Sequence, residues 1–114
     1  MGDLTPASGR ETLALGTSTT ASGNYSTAMG LSTTASGAQS TAMGRLTTAS
    51  GISSLALGYS TTASGHQSIS AGNSSTASAS YSTSIGYGSV ASDFASVVIG
   101  QYNSSGSSVT NNAT

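Results

Sequence analysis

The chain has 114 residues, and Ser, Thr, Ala and Gly account for 75 of them. Only 4% of the residues are charged, the formal net charge is −1 and cysteine is absent, whereas an ordinary globular domain has about 25% charged residues. These values argue against a disulfide scaffold and a thiolate metal site, which need cysteine, and against a nucleic-acid partner, which needs a basic surface.

A fourteen-residue repeat organises residues 3–100. The seven units read DLTPASGRETLALG (3–16), TSTTASGNYSTAMG (17–30), LSTTASGAQSTAMG (31–44), RLTTASGISSLALG (45–58), YSTTASGHQSISAG (59–72), NSSTASASYSTSIG (73–86) and YGSVASDFASVVIG (87–100). The fifth residue of every unit is Ala, the sixth is Ser, the tenth is Ser or Thr and the fourteenth is Gly. Such a short period indicates a solenoid in which each unit forms one coil. Residues 101–114 drop the pattern and are predicted to be an irregular tail.

Each unit predicts two short strands. Glycines recur every seven residues from Gly9 to Gly72, and apolar residues alternate with period two, as in Leu13-Ala14-Leu15-Gly16. A heptad coiled coil is disfavoured because each glycine inside a helix costs about 1 kcal/mol. Alternation between glycines is typical of strands joined by glycine turns. The predicted fold class is therefore all-β, a parallel β-solenoid of about seven coils stacked about 4.8 Å apart.

The first strand of each coil alternates between alanine and hydroxyl side chains. Thr20 and Ser22 point outward and begin a hydroxyl ladder that repeats through Thr76 and Ser78, whereas Ala21 points inward. A flat two-sheet coil has room only for small interior side chains. The alanines that we predict inside are Ala21, Ala28, Ala35, Ala42, Ala49, Ala56 and Ala63. Further along, Ser70 and Ser84 take the alanine position, and we expect their hydroxyls to bond each other or nearby carbonyls.

The second strand of each coil presents an apolar stripe on its outward face. In the second unit Thr27 and Met29 lie on this face, opposite Ala28. A contiguous exposed apolar patch of this kind marks an interface, and a closed symmetric assembly would cover it. The residues that we predict at the interface are Leu13, Leu15, Met29, Met43, Leu55, Leu57, Ile69, Ile85, Val97 and Ile99.

The second half of the unit carries an S-x-A-x-G pattern, seen at residues 26–30, 40–44 and 54–58. In tandem this pattern resembles the head repeats of trimeric autotransporter adhesins, the YadA-like family. The resemblance implies a left-handed parallel β-roll assembled as a homotrimer, with the residues that flank the alanine directed towards the trimer axis. It also implies display at the cell surface, outside the outer membrane of a Gram-negative bacterium, and a role in virulence through adhesion to host matrix, cells or other bacteria.

Three residues depart from the fourteen-residue repeat, and each predicts a local change in the roll. Ala79 and Asp93 replace the mid-unit glycine, so their turns are expected to differ, and Ala71 is expected to thin the layer at the axis. The sequence shows no stalk or anchor pattern after residue 100 and no leader pattern at its start, so we expect a head segment.

We predict no enzymatic activity and no metal or cofactor site. His66 is the single histidine and lies in a turn. Glu11 and Asp93 lie near opposite ends of the repeat array, too far apart to act together as a general acid and a general base. The expected partners are two further copies of the chain and an unidentified surface receptor, with neither nucleic acid nor direct membrane insertion. Two alternatives stay open: a phage or viral fibre on a virion, and an ice-binding solenoid that would use the hydroxyl ladder, although that ladder ends at Val90.

Overall fold

The structure, a computed structural model, describes residues 6–105. Two parallel β-sheets face each other, one of seven strands and one of six, and no helix occurs in the described range. The chain crosses from one sheet to the other and back within each fourteen-residue unit, and about six turns separate the first strand from the last. The predicted all-β parallel solenoid is confirmed.

The two strands of a coil differ in length. The long strands are β1 Leu13–Thr17, β3 Thr27–Leu31, β5 Thr41–Arg45, β7 Leu55–Tyr59, β9 Ile69–Asn73, β11 Thr83–Tyr87 and β13 Val97–Gln101. The short strands are β2 Thr20–Ala21, β4 Thr34–Ala35, β6 Thr48–Ala49, β8 Thr62–Ala63, β10 Thr76–Ala77 and β12 Val90–Ala91. Each strand pairs with the strand fourteen residues further on, as in Ala14 with Ala28. Identical unit positions therefore stack directly above one another.

The interior is built from very small side chains because the roll is thin. The principal extents are 44 × 22 × 10 Å, and the interior alanines from Ala21 to Ala63 are completely inaccessible. Burying one methyl contributes roughly 1 kcal/mol, judged from about 0.8 kcal/mol per buried CH₂. The coils are also joined by backbone hydrogen bonds, such as Thr20 N to Thr33 O at 2.8 Å and Ser22 N to Ala35 O at 3.0 Å.

The glycine that ends each unit lies inside the long strand, which corrects the predicted glycine turn there. Gly58 has φ +113°, and a Cβ added to it would come 2.1 Å from the Gly72 carbonyl oxygen. This position is always glycine because both its backbone conformation and the next coil exclude a side chain. Corners instead use non-glycine residues in the left-handed region, such as Ser18 at φ 56° and Tyr25 at φ 63°.

The mid-unit turn keeps its internal hydrogen bond where glycine is replaced, but at Ala79 it differs in its bonding to the next coil. The Gly65 N–H donates to the Ala77 carbonyl at 3.3 Å, whereas the Ala79 N–H makes no equivalent bond to Ala91. The Ser68 N–H donates to the Gly65 carbonyl at 3.2 Å, and Ser82 repeats this bond to Ala79 at 3.2 Å. The Asp93 carbonyl accepts the same bond at 3.1 Å. This glycine is not held in the left-handed region, so the backbone angles admit other residues here.

The interior also contains two ladders of hydroxyl side chains. Threonines at the third unit position, such as Thr19, and serines at the tenth, such as Ser26, are buried beside the alanines. Of the two expected kinds of bond, the one between Ser70 and Ser84 is not formed, whereas the bond to a nearby carbonyl is confirmed for Ser70, whose hydroxyl donates to the Ser75 carbonyl at 2.8 Å. Ser70 instead meets Ser75, with the two Oγ atoms 2.8 Å apart, because the third position of the following unit faces it across the thin roll.

The roll continues beyond the predicted boundary at residue 100. Strand β13 includes Gln101, and Ser104 forms a parallel bridge with Val90. Residues 101–105 therefore begin an eighth coil rather than an irregular tail, because their backbone still pairs with the coil below. Residues 106–114 of the predicted tail, and residues 3–5 of the first unit, lie outside the described residues.

Candidate interaction surface

The outward face of the seven-stranded sheet carries the apolar stripe as two rows in exact strand register. The eleventh-position row contains Leu13, Thr27, Thr41, Leu55, Ile69, Thr83 and Val97. The thirteenth-position row contains Leu15, Met29, Met43, Leu57, Ala71, Ile85 and Ile99. Seven strands about 4.8 Å apart give rows roughly 29 Å long. The structure thus brings all ten predicted interface residues onto one face.

These side chains are open to solvent in the single chain. Leu13, Met43, Ile69, Ile85, Val97 and Ile99 are exposed, whereas Leu15, Met29, Leu55 and Leu57 are half-buried. Exposure rises to 56% for Val97 and 49% for Ile99. Isolated exposed apolar residues are ordinary on protein surfaces, but a continuous strip along a whole sheet marks an interaction surface.

The bulk of the stripe varies from coil to coil. Leu13 with Leu15, and Leu55 with Leu57, are the fully leucine pairs, and Val97 with Ile99 forms a third bulky pair. The fifth coil pairs Ile69 with Ala71, so its layer has the smallest thirteenth-position side chain. A thinner layer at an assembly axis next to Ala71 stays a prediction.

The opposite face, on the six-stranded sheet, carries the hydroxyl ladder. Threonines from Thr20 to Thr76 occupy the fourth unit position in strand register, and Val90 replaces the last of them. The sixth-position serines beside them are exposed. This surface is uncharged and flat, and it offers hydrogen-bonding hydroxyls rather than apolar area.

Aromatic side chains cluster on the turns of the C-terminal coils. The Tyr81 ring contacts His66, with centroids 6.0 Å apart, and Phe94 at 5.3 Å in an edge-to-face arrangement. In the sequence His66 is the single histidine and lies in a turn, and its contact with these rings was not predicted. The fourteen-residue period could have predicted the contact, because it places the eighth and ninth positions of successive units side by side.

A second set of ring contacts lies on the opposite edge of the roll. The Arg45 guanidinium sits over the Tyr59 ring at 5.4 Å, and Tyr87 meets Tyr102 edge-to-face at 5.2 Å. A side-chain hydrogen bond with Tyr87 is the main cause that raises the pKa of the Tyr102 phenol above its ordinary value. These contacts cover the coil edges and tie neighbouring coils together.

Two kinds of site, metal clusters and pockets, are absent from residues 6–105. That range contains no cluster of three or more His, Asp or Glu side chains with the geometry of a metal site, and its surface has no concave pocket. Glu11 and Asp93 belong to the first and seventh units. The described range also lacks any helix that is long and apolar enough to cross a bilayer.

Comparison with protein families gives one repeated match. A profile described as the YadA head domain repeat (2 copies) matches residues 7–33, 22–47, 35–61, 49–75, 63–89 and 77–103. Successive matches overlap and advance by about one coil, so each covers two adjacent coils of the roll. Comparison with curated proteins gives no match.

Proposed function

The chain belongs to the YadA head-repeat family, and we propose that it is the non-enzymatic head of a trimeric autotransporter adhesin. In this role three copies form a rod displayed at the cell surface, outside the outer membrane. The rod attaches the bacterium to host matrix, cells or other bacteria, and so contributes to virulence. The receptor is a surface molecule whose identity the chain does not specify.

The observation that carries the proposal is the pair of in-register rows on the seven-stranded sheet, which are apolar except for Thr27, Thr41 and Thr83. Both rows run through all seven long strands without a charged residue. Three copies arranged around one axis would bring these rows together and remove them from water. Burial of apolar area stabilises association by roughly 25 cal/mol per Å², and a threefold axis gives a closed assembly without a free copy of the stripe.

The trimer also explains how a surface without a pocket can serve attachment. A threefold rod presents three copies of every outer contact. When several weak contacts engage together, the later ones become intramolecular and the overall avidity can exceed a single affinity by 10²–10⁴. Adhesion by this route needs a rigid repeated surface rather than a deep binding site.

The first test is the mass of the purified protein in solution, measured by light scattering on a sizing column. We expect a species of three chains. Leu57→Asp should abolish this species, because three carboxylates would meet in a water-poor layer around the axis. The matched control is Ser64→Asp, which adds the same charge to an exposed residue on the opposite face and should leave the trimer intact.

Attachment is tested with the same two variants. Binding to immobilised matrix proteins and to cultured cells should be strong for the Ser64→Asp trimer and should fall by at least tenfold for Leu57→Asp, because multivalency is lost. A folded wild-type monomer, or a Leu57→Asp protein that still forms trimers, would contradict the proposed axis.

A further inference from the structure

Two tyrosines on one edge of the roll are in direct contact across neighbouring coils. Tyr87 ends strand β11 and Tyr102 follows strand β13, and the Tyr102 N–H donates to the Tyr87 carbonyl at 2.8 Å. Their rings meet edge-to-face with centroids 5.2 Å apart. Both side chains are exposed within the described part of the chain. The backbone ladder therefore holds the two phenols next to each other at the surface of the described roll.

Gly88 makes room for this contact. A Cβ added to Gly88 would lie 2.8 Å from Cδ1 and 2.9 Å from Cε1 of the Tyr102 ring. The backbone does not require glycine at this unit position, because Ser74 adopts the same left-handed conformation at φ 58° one coil earlier. Among the seven units only the seventh has glycine there. The missing side chain is therefore explained by the ring of Tyr102, which lies against this glycine.

The other tyrosines of the chain are separated from one another. All five tyrosines lie within residues 6–105. Tyr59 lies two coils from Tyr87, about twice the coil spacing of about 4.8 Å, and Asn73 occupies the register position between them. Tyr25 and Tyr81 lie on mid-unit turns four units apart. The tyrosine pair on neighbouring coils is thus unique within residues 6–105.

We propose that Tyr87 and Tyr102 form a site of oxidative cross-linking, at which a dityrosine bond joins the seventh coil to the eighth. Loss of one electron and of the O–H proton gives each phenol a radical whose unpaired electron is shared with the ring carbons ortho to the oxygen. Two such radicals in one chain couple when their rings are adjacent, which the contact at 5.2 Å provides. The oxidant is a peroxide that acts through a haem peroxidase.

The cross-link is a two-electron oxidation. A carbon–carbon bond forms between one ortho carbon of each ring, and the hydrogen on each of these carbons then moves to the adjoining oxygen, which restores both phenols. Tyr87 and Tyr102 together lose two electrons and two protons, and one molecule of hydrogen peroxide takes them up to give two molecules of water. The edge-to-face rings turn about their side-chain bonds to bring the ortho carbons together, and their position on the outer edge of the roll leaves space for this rotation.

The bond would fix the start of the eighth coil to the coil below it. Without the bond, residues 101–105 are held by backbone contacts such as the Ser105 N–H to the Val90 carbonyl at 2.8 Å. A covalent link between residues 87 and 102 closes a short loop and restricts the unfolded chain, as a disulfide does. Both tyrosines belong to one chain, so the cross-link is independent of the proposed trimer.

The test treats the purified full chain with a haem peroxidase and hydrogen peroxide. Dityrosine is measured by its fluorescence, and a denaturing gel together with peptide masses locates the bond. We expect the wild-type product to keep its single-chain size and to contain Tyr87 and Tyr102 in one linked species that has lost two hydrogen atoms. Tyr87→Phe and Tyr102→Phe should each lower the dityrosine yield by at least tenfold. Tyr59→Phe, the matched control on the same edge, should leave the yield unchanged.

A second variant tests the position of the rings while both tyrosines are kept. Gly88→Ser introduces the residue that four other units carry at this position and places a side chain against the Tyr102 ring, so the yield should fall by at least threefold. Ser74→Gly makes the reverse change one coil earlier and should have no effect. In the cross-linked wild-type chain, hydrogen exchange of the Ser105 amide should slow by at least tenfold.

Three results would overturn the proposal. They are a wild-type chain that yields no dityrosine, a bond that joins two chains on the denaturing gel, and a yield that persists in Tyr87→Phe. A folded Gly88→Ser protein with the wild-type yield would overturn the role given to Gly88. Failure of the proposed trimer would be visible separately, in the mass of the untreated wild-type protein.

Discussion

The roll interior pairs the twelfth position of one unit with the third position of the next, and this pair changes along the chain. Ser70 and Ser75 form such a pair: the Ser70 hydroxyl donates to the Ser75 carbonyl at 2.8 Å, and the two Oγ atoms lie 2.8 Å apart. The successive pairs are Ala14–Thr19, Ala28–Thr33, Ala42–Thr47, Ala56–Thr61, Ser70–Ser75, Ser84–Ser89 and Val98–Asn103. Alanine is thus always matched with threonine and serine with serine. We predict that the two members of a pair are energetically coupled.

The magnitudes follow from the contacts of the fifth pair. Ser70→Ala removes the hydroxyl bond to Ser75 but leaves the Ser75 hydroxyl its bond to the Ala71 carbonyl at 2.9 Å, so the expected loss is about 1 kcal/mol. Ser75→Thr adds a methyl group to a packed interior beside the Ser70 oxygen and should cost about 1–3 kcal/mol. The double variant recreates the alanine–threonine pair of four other coils. Its free energy of unfolding should therefore exceed the value expected from adding the two single-variant losses by at least about 1 kcal/mol.

Urea unfolding at one fixed protein concentration measures this coupling, and an unchanged m value would show that the same surface is exposed in each variant. Ser64→Ala, an exposed substitution in the same region, is the control and should change the free energy of unfolding by less than about 0.5 kcal/mol. If the loss of unfolding free energy in the double variant equals the sum of the two single losses to within about 0.5 kcal/mol, the two residues are not coupled and the prediction is wrong.

Three further predictions concern the backbone, a phenol and the outer face. Gly58→Ala should destabilise the roll more than Gly51→Ala, as judged by thermal melts, because φ +113° adds backbone strain to the close approach of the next coil that both sites share; equal losses would contradict this. Tyr87→Phe should lower the pKa of Tyr102 in an ultraviolet titration, because the hydrogen bond that raises it is removed. Since the raised pKa favours the neutral phenol in the folded protein, its stabilising contribution should be present below about pH 10 and disappear above it. The adhesive role predicts that purified protein shows no thermal hysteresis, and a measurable freezing gap would favour the ice-binding alternative.

The repeat alone was sufficient to predict the architecture because a solenoid stacks equivalent residues. Ala21 and Ala35 come into register only if one coil spans fourteen residues, so the period determines coil length, parallel pairing and the neighbour of every residue. Period-two alternation around Ala28 likewise separates the inside of the roll from its outer face. These inferences need only local chain geometry and the requirement that small residues fill a thin interior.

Other features depend on contacts between coils and were not accessible from the pattern. Both glycines of a unit recur every fourteen residues, but only the one equivalent to Gly58 has a positive φ. The pattern also gave no sign that a coil combines a five-residue strand with a two-residue strand. The buried third-position threonines, such as Thr19, were not predicted inside, because threonine is compatible with either face.

By itself, the sequence determined a fourteen-residue parallel solenoid with an alanine interior and an apolar outer stripe, because periodicity specifies which residues become neighbours. The contacts between coils, by contrast, give the buried hydroxyls of Ser70 and Ser84 their partners across the roll, Ser75 and Ser89. Asn103 and Ser105 look like part of a polar tail until the preceding coil is in place beneath them. Ser105 bonds to backbone groups twelve and thirteen residues earlier and Asn103 to one four residues earlier, because the fold brings these groups within hydrogen-bonding distance.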